Sequence, residues 1–238
     1  ALEANKPDIV RYFIDQGADV NVVDQRDKNA INSLIKMNLA PNNFPKVKEL
    51  FLLLVSKKLD LTKFDRQGRS PLYNLACQVH GAGTLSNKIE LMQLLLDHGA
   101  TIQKMQDKTV APISVAMLTD SKLLAISKLT EDKAKEPYIR NVVETLKFLF
   151  ERGLDPNQAS PIGNGNTPAI QVMKSDPKVL SIAAKQELLK LLIDHGAKMN
   201  IKNKLKESPE RLVEGRDDPL FELVRKYKPA PNKKKPRV

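Results

Sequence analysis

A short phrase that recurs at the ends of apolar helical runs constrains the fold more than any other feature of the chain. It reads FIDQGADVN at 13–21, LLDHGATIQ at 95–103, FERGLDPN at 150–157 and LIDHGAKMN at 192–200, and a degenerate copy, LVSKKLDLT, stands at 54–62. A phrase that returns every few tens of residues is typical of a stacked repeat array. Such arrays usually work by presenting an extended surface.

Each phrase has the composition of a helix end. Leu91 and Leu95 are apolar at helical spacing, and Gly99 follows the last turn, where glycine takes the left-handed conformation without a Cβ penalty. Glycine stands at the matching place in three further copies, at 17, 153 and 196. Lys58 occupies this place in the degenerate copy, which predicts strain of about 1 kcal/mol there.

A helix start follows each phrase after a short polar stretch. The clearest copy is DRQGRSPLYNLA at 65–76, in which Ser70 suits the N-cap and Pro71 the first helical position. Weaker versions stand at 111–114, 167–170 and 208–211, and the copy at 29–32 lacks the proline but keeps a capping residue, Asn29. A turn, a short helix and a longer helix therefore repeat along the chain.

The combination DxxGxSPLYxLA, an amphipathic helix and LLLDHGA resembles the ankyrin repeat. The resemblance implies an all-α solenoid in which short β-hairpin fingers or loops alternate with stacked helix pairs, and it covers nearly all of the chain except its last ten residues. It implies a partial repeat at 1–23, repeats at 24–64, 65–105, 106–159 and 160–202, a C-terminal cap at 203–228 and a basic tail at 229–238. It also implies protein binding without catalysis or a cofactor.

The chain departs from the family in repeat length. The family repeat is about 33 residues, whereas the glycine-equivalent positions 17, 58, 99, 153 and 196 are 41 to 54 residues apart. The additional residues fall between the two helices of a repeat, at 38–45, 80–87, 121–137 and 175–185. We expect a loop at 80–87, an extra helical turn within 121–129, a helix that begins at Pro137 and one lengthened helix at 177–195.

The family's histidine in the motif TPLH is also missing. The residues in its place are Asn32, Tyr73, Ser114, Ile170 and Arg211. The hydrogen-bond network that this histidine serves in the family must therefore be rebuilt or absent.

The two ends of the chain carry separate expectations. Residues 1–4 read as the end of a first helix and 7–15 as the second helix of a truncated unit, which predicts further sequence upstream. At the other end the tail carries Lys233, Lys234, Lys235 and Arg237, a cluster that resembles a nuclear-import signal. The alternatives are a solubilising, disordered tail and a tail that contacts phosphate or nucleic acid.

Composition limits the functional classes. The formal net charge is +11, and a nucleic-acid groove would need a basic stripe interleaved with aromatic residues. The phenylalanines near the basic run at 46–69, which are Phe44, Phe51 and Phe64, are expected to be core or hairpin-packing residues, so an acidic protein partner fits the charge at least as well. The single cysteine, Cys77, favours a reducing, intracellular compartment over a disulfide framework. No apolar run is long enough to span a membrane, and no catalytic or metal-ligand constellation emerges.

These observations predict a monomeric protein-binding module of a larger intracellular protein. Irregular repeats in a Lys- and Asn-rich chain resemble those of effectors that bacteria secrete into the host cytoplasm or nucleus. Two alternatives stay open: a regulatory or substrate-positioning domain packed on an upstream catalytic domain, and a basic nucleic-acid-binding module. By resemblance, the partner would contact Gln25, Arg26, Lys28, Arg66, Gln67, Arg69, Tyr73, Gln78, Asp107, Lys108, Val110, Asn164 and Asn166.

Overall fold

The structure is a computed structural model that describes residues 6–78, 83–102, 110–119, 132–215 and 217–227. These residues contain helices and turns and no strand. The helices are α1 Pro7–Asp15, α2 Ala30–Leu34, α3 Phe44–Ser56, α4 Pro71–Ala76, α5 Leu85–Asp97, α6 Ile113–Met117, α7 Asp132–Phe150, α8 Pro168–Lys174, α9 Ile182–Asp194, α10 Pro209–Leu212 and α11 Pro219–Lys226.

The helices form two layers. The short first helices α2, α4, α6, α8 and α10 contact one another in succession, and the longer second helices lie beside them, with α2 against α3, α4 against α5 and α8 against α9. The core is built almost entirely from aliphatic side chains between these layers. This arrangement confirms the predicted all-α stack of helix pairs.

Side-chain caps start most of the first helices as predicted. The hydroxyl of Ser70 accepts a hydrogen bond from the backbone N–H of Tyr73 at 3.1 Å, and Thr167 and Ser208 cap α8 and α10 in the same way. No side chain caps α6, which follows Pro112, and the expectation that Asn29 caps α2 is wrong. The Asn29 side chain instead accepts from Asn32 at 3.1 Å and donates to the Asp60 carbonyl at 2.9 Å.

The helix ends also follow the sequence. The glycines at 17, 99, 153 and 196 have φ angles of 85°, 102°, 92° and 90°, and Lys58 takes a φ of 61° in the same place. His195 adds a contact between its ring Nδ1 and the Leu191 carbonyl at 2.9 Å. The left-handed residue at 58 is therefore a lysine where the other copies have glycine.

We expect Lys58→Gly to raise the free energy of unfolding by roughly 0.5–1 kcal/mol, because glycine relieves the Cβ strain of the left-handed conformation. Urea denaturation of both proteins measures the difference. Lys58→Ala is the matched control, since it removes the same long side chain and keeps the Cβ. An equal change in both variants would contradict the strain argument.

Three expectations for the inserted segments are wrong. Residues 85–87, predicted as loop, belong to α5. Pro137 lies inside α7, Asp132–Phe150, where the preceding Ala, Lys and Glu residues favour helix. The lengthened helix at 177–195 is a turn at 176–180 followed by α9, whose cap is Ser181. The predicted turn within 121–129 lies outside the described residues.

Two buried lysines connect second helices to the ends of first helices. The ammonium of Lys88 donates to the carbonyls of Ala76 at 2.9 Å and Gln78 at 2.6 Å, and to Oδ1 of Asn141 at 3.0 Å. Lys185 makes the equivalent bonds two helix pairs later, to the carbonyls of Met173 and Ser175. Burial lowers the pKa of Lys88 to about 7.

The N-terminal end of the described stack is open. Leu54, Leu95, Leu149 and Leu192 occupy the matching place in four second helices and are at most 1% exposed, whereas their counterpart in α1, Phe13, is 53% exposed. Phe13 and Val22 border an apolar groove of about 500 Å³. The predicted first helix of this unit would include residues 1–4, which lie outside the described residues.

Candidate binding surface

Four tight turns precede first helices, and we call them fingers: 24–28, 65–69, 160–166 and 203–207. A backbone hydrogen bond closes each finger, from Asp24 to Lys28 at 2.9 Å, from Asp65 to Arg69 at 3.0 Å, from Ser160 to Asn166 at 2.9 Å and from Asn203 to Glu207 at 2.9 Å. The finger that precedes α6 lies mostly outside the described residues.

The carboxylates of the first two fingers stabilise the turns themselves. Oδ1 of Asp24 accepts from the backbone N–H groups of Arg26 at 2.8 Å and Lys28 at 3.0 Å, and these bonds lower the pKa of Asp24. Asp65 accepts equivalent bonds from Gln67 and Arg69, and it is only 2% exposed. Both acidic groups are therefore engaged within their own fingers.

Neighbouring fingers are joined to each other. The N–H of Arg66 donates to the carbonyl of Arg26 at 3.1 Å, and the N–H of Lys204 donates to the carbonyl of Asn164 at 2.9 Å. Each bond connects the tip of one repeat to the tip of the next. The backbone of these tips is consequently held in place before any partner arrives.

Asparagines rebuild the network that the missing histidine would serve. The side chain of Asn74 donates to Asp65 Oδ2 at 3.0 Å and to Asn32 Oδ1 at 3.4 Å, which connects two repeats. Asn203 donates to Asn166 Oδ1 at 2.8 Å in the last pair of fingers. Side-chain amides thus bridge successive repeats beneath the fingers.

A second asparagine ladder connects the helix ends, and sequence reasoning missed it. Asn21 donates to the carbonyl of Lys58 at 3.0 Å and accepts from the N–H of Asp60 at 2.7 Å. Asn157 likewise donates to the carbonyl of Gly196 and accepts from the N–H of Lys198. The signal was present, because an asparagine closes these copies of the recurrent phrase.

Cationic side chains line two small clefts at the first two fingers. The outer cleft, of about 260 Å³, is bordered by Arg26, Lys28, Arg66 and Gln67. The inner cleft, of about 200 Å³, is bordered by Lys28, Asn32, Ile35, Lys36, Asp65, Arg69, Asn74, Cys77 and Gln78. Burial, and after it the neighbouring Lys36, lowers the pKa of Lys28.

The charge of these clefts is largely unneutralised. Within the described part of the chain, no carboxylate forms an ion pair with Arg26, Lys28, Lys36 or Arg66. Arg69 lies 3.6 Å from Asp65, whose carboxylate already stabilises the finger. A cluster of available cations therefore occupies the edge where the first helices begin.

The structure brings most of the predicted contact residues to this edge. Gln25, Arg26, Arg66, Gln67 and Asn164 are exposed, and Lys28, Arg69, Gln78 and Asn166 are half-buried.

Two predicted contact residues need correction, because Tyr73 is 7% and Val110 6% exposed and both side chains belong to the core. Tyr73 lies within α4, and Val110 lies three residues before α6. Asp107, Lys108 and the tail residues Lys233, Lys234, Lys235 and Arg237 lie outside the described residues. Lys36, just beyond α2, was missed.

Two other kinds of site find no support in the described ranges. No helix there is both long and apolar enough to cross a membrane. In the same ranges, no three His, Cys, Asp or Glu side chains are grouped so that they could hold a metal ion.

The overall arrangement is similar to solved structures. An ankyrin repeat domain from Acinetobacter baumannii AYE matches with a TM-score of 0.64 at 15% identity, over 94% of this chain and 92% of that one. The ankyrin repeat protein EF0377 matches with a TM-score of 0.61 at 16% identity, over 96% of each chain.

A third similar structure is a complex of two proteins. It contains the predatory endopeptidase Bd0816 from Bdellovibrio bacteriovorus and the immunity protein Bd3460, and it matches with a TM-score of 0.52 at 17% identity, over 96% of this chain and 98% of that one. No protein-family model and no curated protein matches the sequence. The helix pairs, their order and these likenesses establish that the protein has the fold of the ankyrin-repeat proteins.

Proposed function

We propose that the chain is a non-catalytic protein-binding module that holds its partner on the fingers and the adjoining first helices. The observation that carries the proposal is the bond between the Arg66 N–H and the Arg26 carbonyl, together with the cationic side chains on both tips, which form no ion pair among the described residues. A backbone that is fixed in advance loses little conformational entropy on binding. The fold supports the proposal, since it is the fold of an established class of binding modules.

The charge of the first two fingers favours an acidic partner. Positive side chains that face an acidic surface increase the association rate and align the partner. The setting that we propose is a larger intracellular protein of the secreted-effector type, supported by the single cysteine and by the Lys- and Asn-rich repeats. In that setting the module positions a target protein.

The double variant Arg26→Ser/Arg66→Ser is expected to lower the affinity for the partner by about tenfold or more, because both side chains lie at the centre of the proposed surface. A suitable measurement is calorimetric titration with a partner that has been captured by the wild-type chain and identified by mass spectrometry. The matched control is Lys46→Ser/Lys147→Ser, which removes the same charge from exposed positions of second helices.

The control variant should stay within about twofold of the wild type, as expected for peripheral charges. Equal weakening by both double variants would show that net charge alone drives the association. Unchanged affinity in the Arg26→Ser/Arg66→Ser variant would move the binding surface away from these fingers.

The basic clefts also give the nucleic-acid alternative a specific test. A nucleic-acid complex loses affinity steeply as salt concentration rises, because counterions are released from the phosphates. If the chain binds an oligonucleotide more tightly than the captured protein partner, and this affinity falls steeply with salt, nucleic-acid binding is the function and the proposal is wrong.

A further inference from the structure

The two basic clefts share one residue. Lys28 borders the outer cleft together with Arg26 and Arg66, and it borders the inner cleft together with Lys36 and Arg69. Cations from two successive repeats therefore surround two adjacent spaces that meet at one lysine. This arrangement presents two anion-sized positions side by side.

The chain supplies one described anion to these positions, because the Asp65 carboxylate borders the inner cleft, 3.6 Å from Arg69. Arg26, Lys28, Lys36 and Arg66 form no ion pair among the described residues. Asp24 and Asp65 each accept backbone hydrogen bonds within their own fingers. Asp27 is exposed at the tip of the first finger and forms no ion pair with the cleft cations among the described residues. Burial, and after it the neighbouring Lys36, disfavours the charge of Lys28, whereas Asp65 favours it. A bound anion would offset the repulsion between the two lysines.

The lining of the clefts favours carboxylates over nucleic acid. Neither cleft is bordered by an aromatic side chain within the described residues, whereas single-stranded nucleic acid usually binds by stacking its bases on aromatic rings. Polar and aliphatic side chains, such as Asn32 and Ile35, form the rest of the inner wall. These groups suit a peptide segment.

We propose that the paired clefts bind an extended acidic segment of the partner protein, with one carboxylate between Lys28, Lys36 and Arg69 and a second carboxylate between Arg26 and Arg66. This inference rests on the proposed function and names the chemistry of its partner. In an extended peptide, alternate side chains lie on the same face about 7 Å apart, so that a Glu-Gly-Glu sequence presents two carboxylates together.

The test uses the intact chain and an acetylated, amidated peptide with a central Glu-Gly-Glu sequence. Chemical shifts of the backbone amides of the first two fingers report binding in nuclear magnetic resonance titrations. We expect Lys28→Met to lower the affinity for the peptide by about tenfold, because this lysine borders both clefts. Lys46→Met, an exposed lysine of α3, is the matched control and should change the affinity by less than about twofold.

A second readout separates direct contact from a structural role. Saturating peptide should raise the pKa of Lys28, as followed by the shift of its side-chain Cε, since a carboxylate favours the charged ammonium. If Lys28→Met fails to fold, Lys36→Met replaces it in the test, because Lys36 is exposed. We expect it to lower the affinity for the peptide by the same factor.

Several outcomes would overturn the inference. They are undiminished peptide binding by Lys28→Met or Lys36→Met, no binding of the peptide by the wild type, and tighter binding of inorganic phosphate or oligothymidine than of the peptide. If the identified partner still requires the fingers in any of these cases, the proposed function stands and only its acidic chemistry fails. If the partner ignores the fingers altogether, the proposed function fails as well.

Discussion

Leu95→Ala is expected to lower the free energy of unfolding by about 2–5 kcal/mol, the range observed when a fully buried leucine is truncated in a packed core. Leu95 lies in α5 between the two helix layers and is 0% exposed. The cost has two physical sources, the lost transfer of apolar surface and the cavity that the surrounding helices cannot close. Urea denaturation followed by circular dichroism measures the change.

The chain offers a matched control in α1. Phe13 occupies the equivalent place in its helix, yet more than half of its side chain is exposed at the open end of the stack. Phe13→Ala removes more atoms than Leu95→Ala, but it should cost less than about 1 kcal/mol. If Phe13→Ala destabilised the chain as much as Leu95→Ala, the description of an open N-terminal end would be wrong.

Raising the pH from 7.5 to 9.5 is expected to stabilise the fold by roughly 2 kcal/mol through Lys88. Its pKa is about 7 in the folded chain and 10.5 for an ordinary lysine. Between these values the unfolded chain binds more protons than the folded chain, so stability rises with pH, by at most about 1.4 kcal/mol per pH unit. The gain is complete only above the unfolded pKa.

Two neighbouring groups, Cys77 and Tyr73, limit the pH range over which the effect of Lys88 on stability can be measured. The nearby Cys77 raises the pKa of Lys88, and the buried Tyr73, whose pKa is raised, opposes the trend where phenols titrate near pH 10. Lys88→Met should therefore reduce the slope of stability against pH between 7.5 and 9.5 to less than about half, whereas Lys46→Met should leave it unchanged. An unaltered slope in Lys88→Met would show that Lys88 is not the titrating group.

The elements that rest on local signals could be predicted from the sequence. Ser70 before Pro71, and the glycines after the leucine-rich runs, determine helix starts and ends within a few residues of themselves. The structure of the inserted segments could not be predicted in this way, because each can contain more than one candidate helix start. Ser175-Asp176-Pro177 is a good start, but α9 begins after Ser181, since the turn at 176–180 buries Val179 and Leu180 in the core.

The candidate site was predictable only in part, because it combines side chains from two repeats. The resemblance identified most of the finger residues, but the position of Arg69 beside Lys28 and Lys36 depends on the stacking of one repeat on the next. The burial of the Lys88 ammonium could not be predicted from one repeat either, because one of its three acceptors, Asn141, belongs to a later helix. Contacts between repeats depend on distances that a single repeat does not encode.

Hydrogen–deuterium exchange of the chain, free and bound to its identified partner, tests the central claim most directly. We expect slower exchange at the fingers 24–28 and 65–69 and at the first turns of α2 and α4, with little change along the second helices α3, α5 and α9. Protection that is confined to the second helices, with both fingers unchanged, would contradict the account.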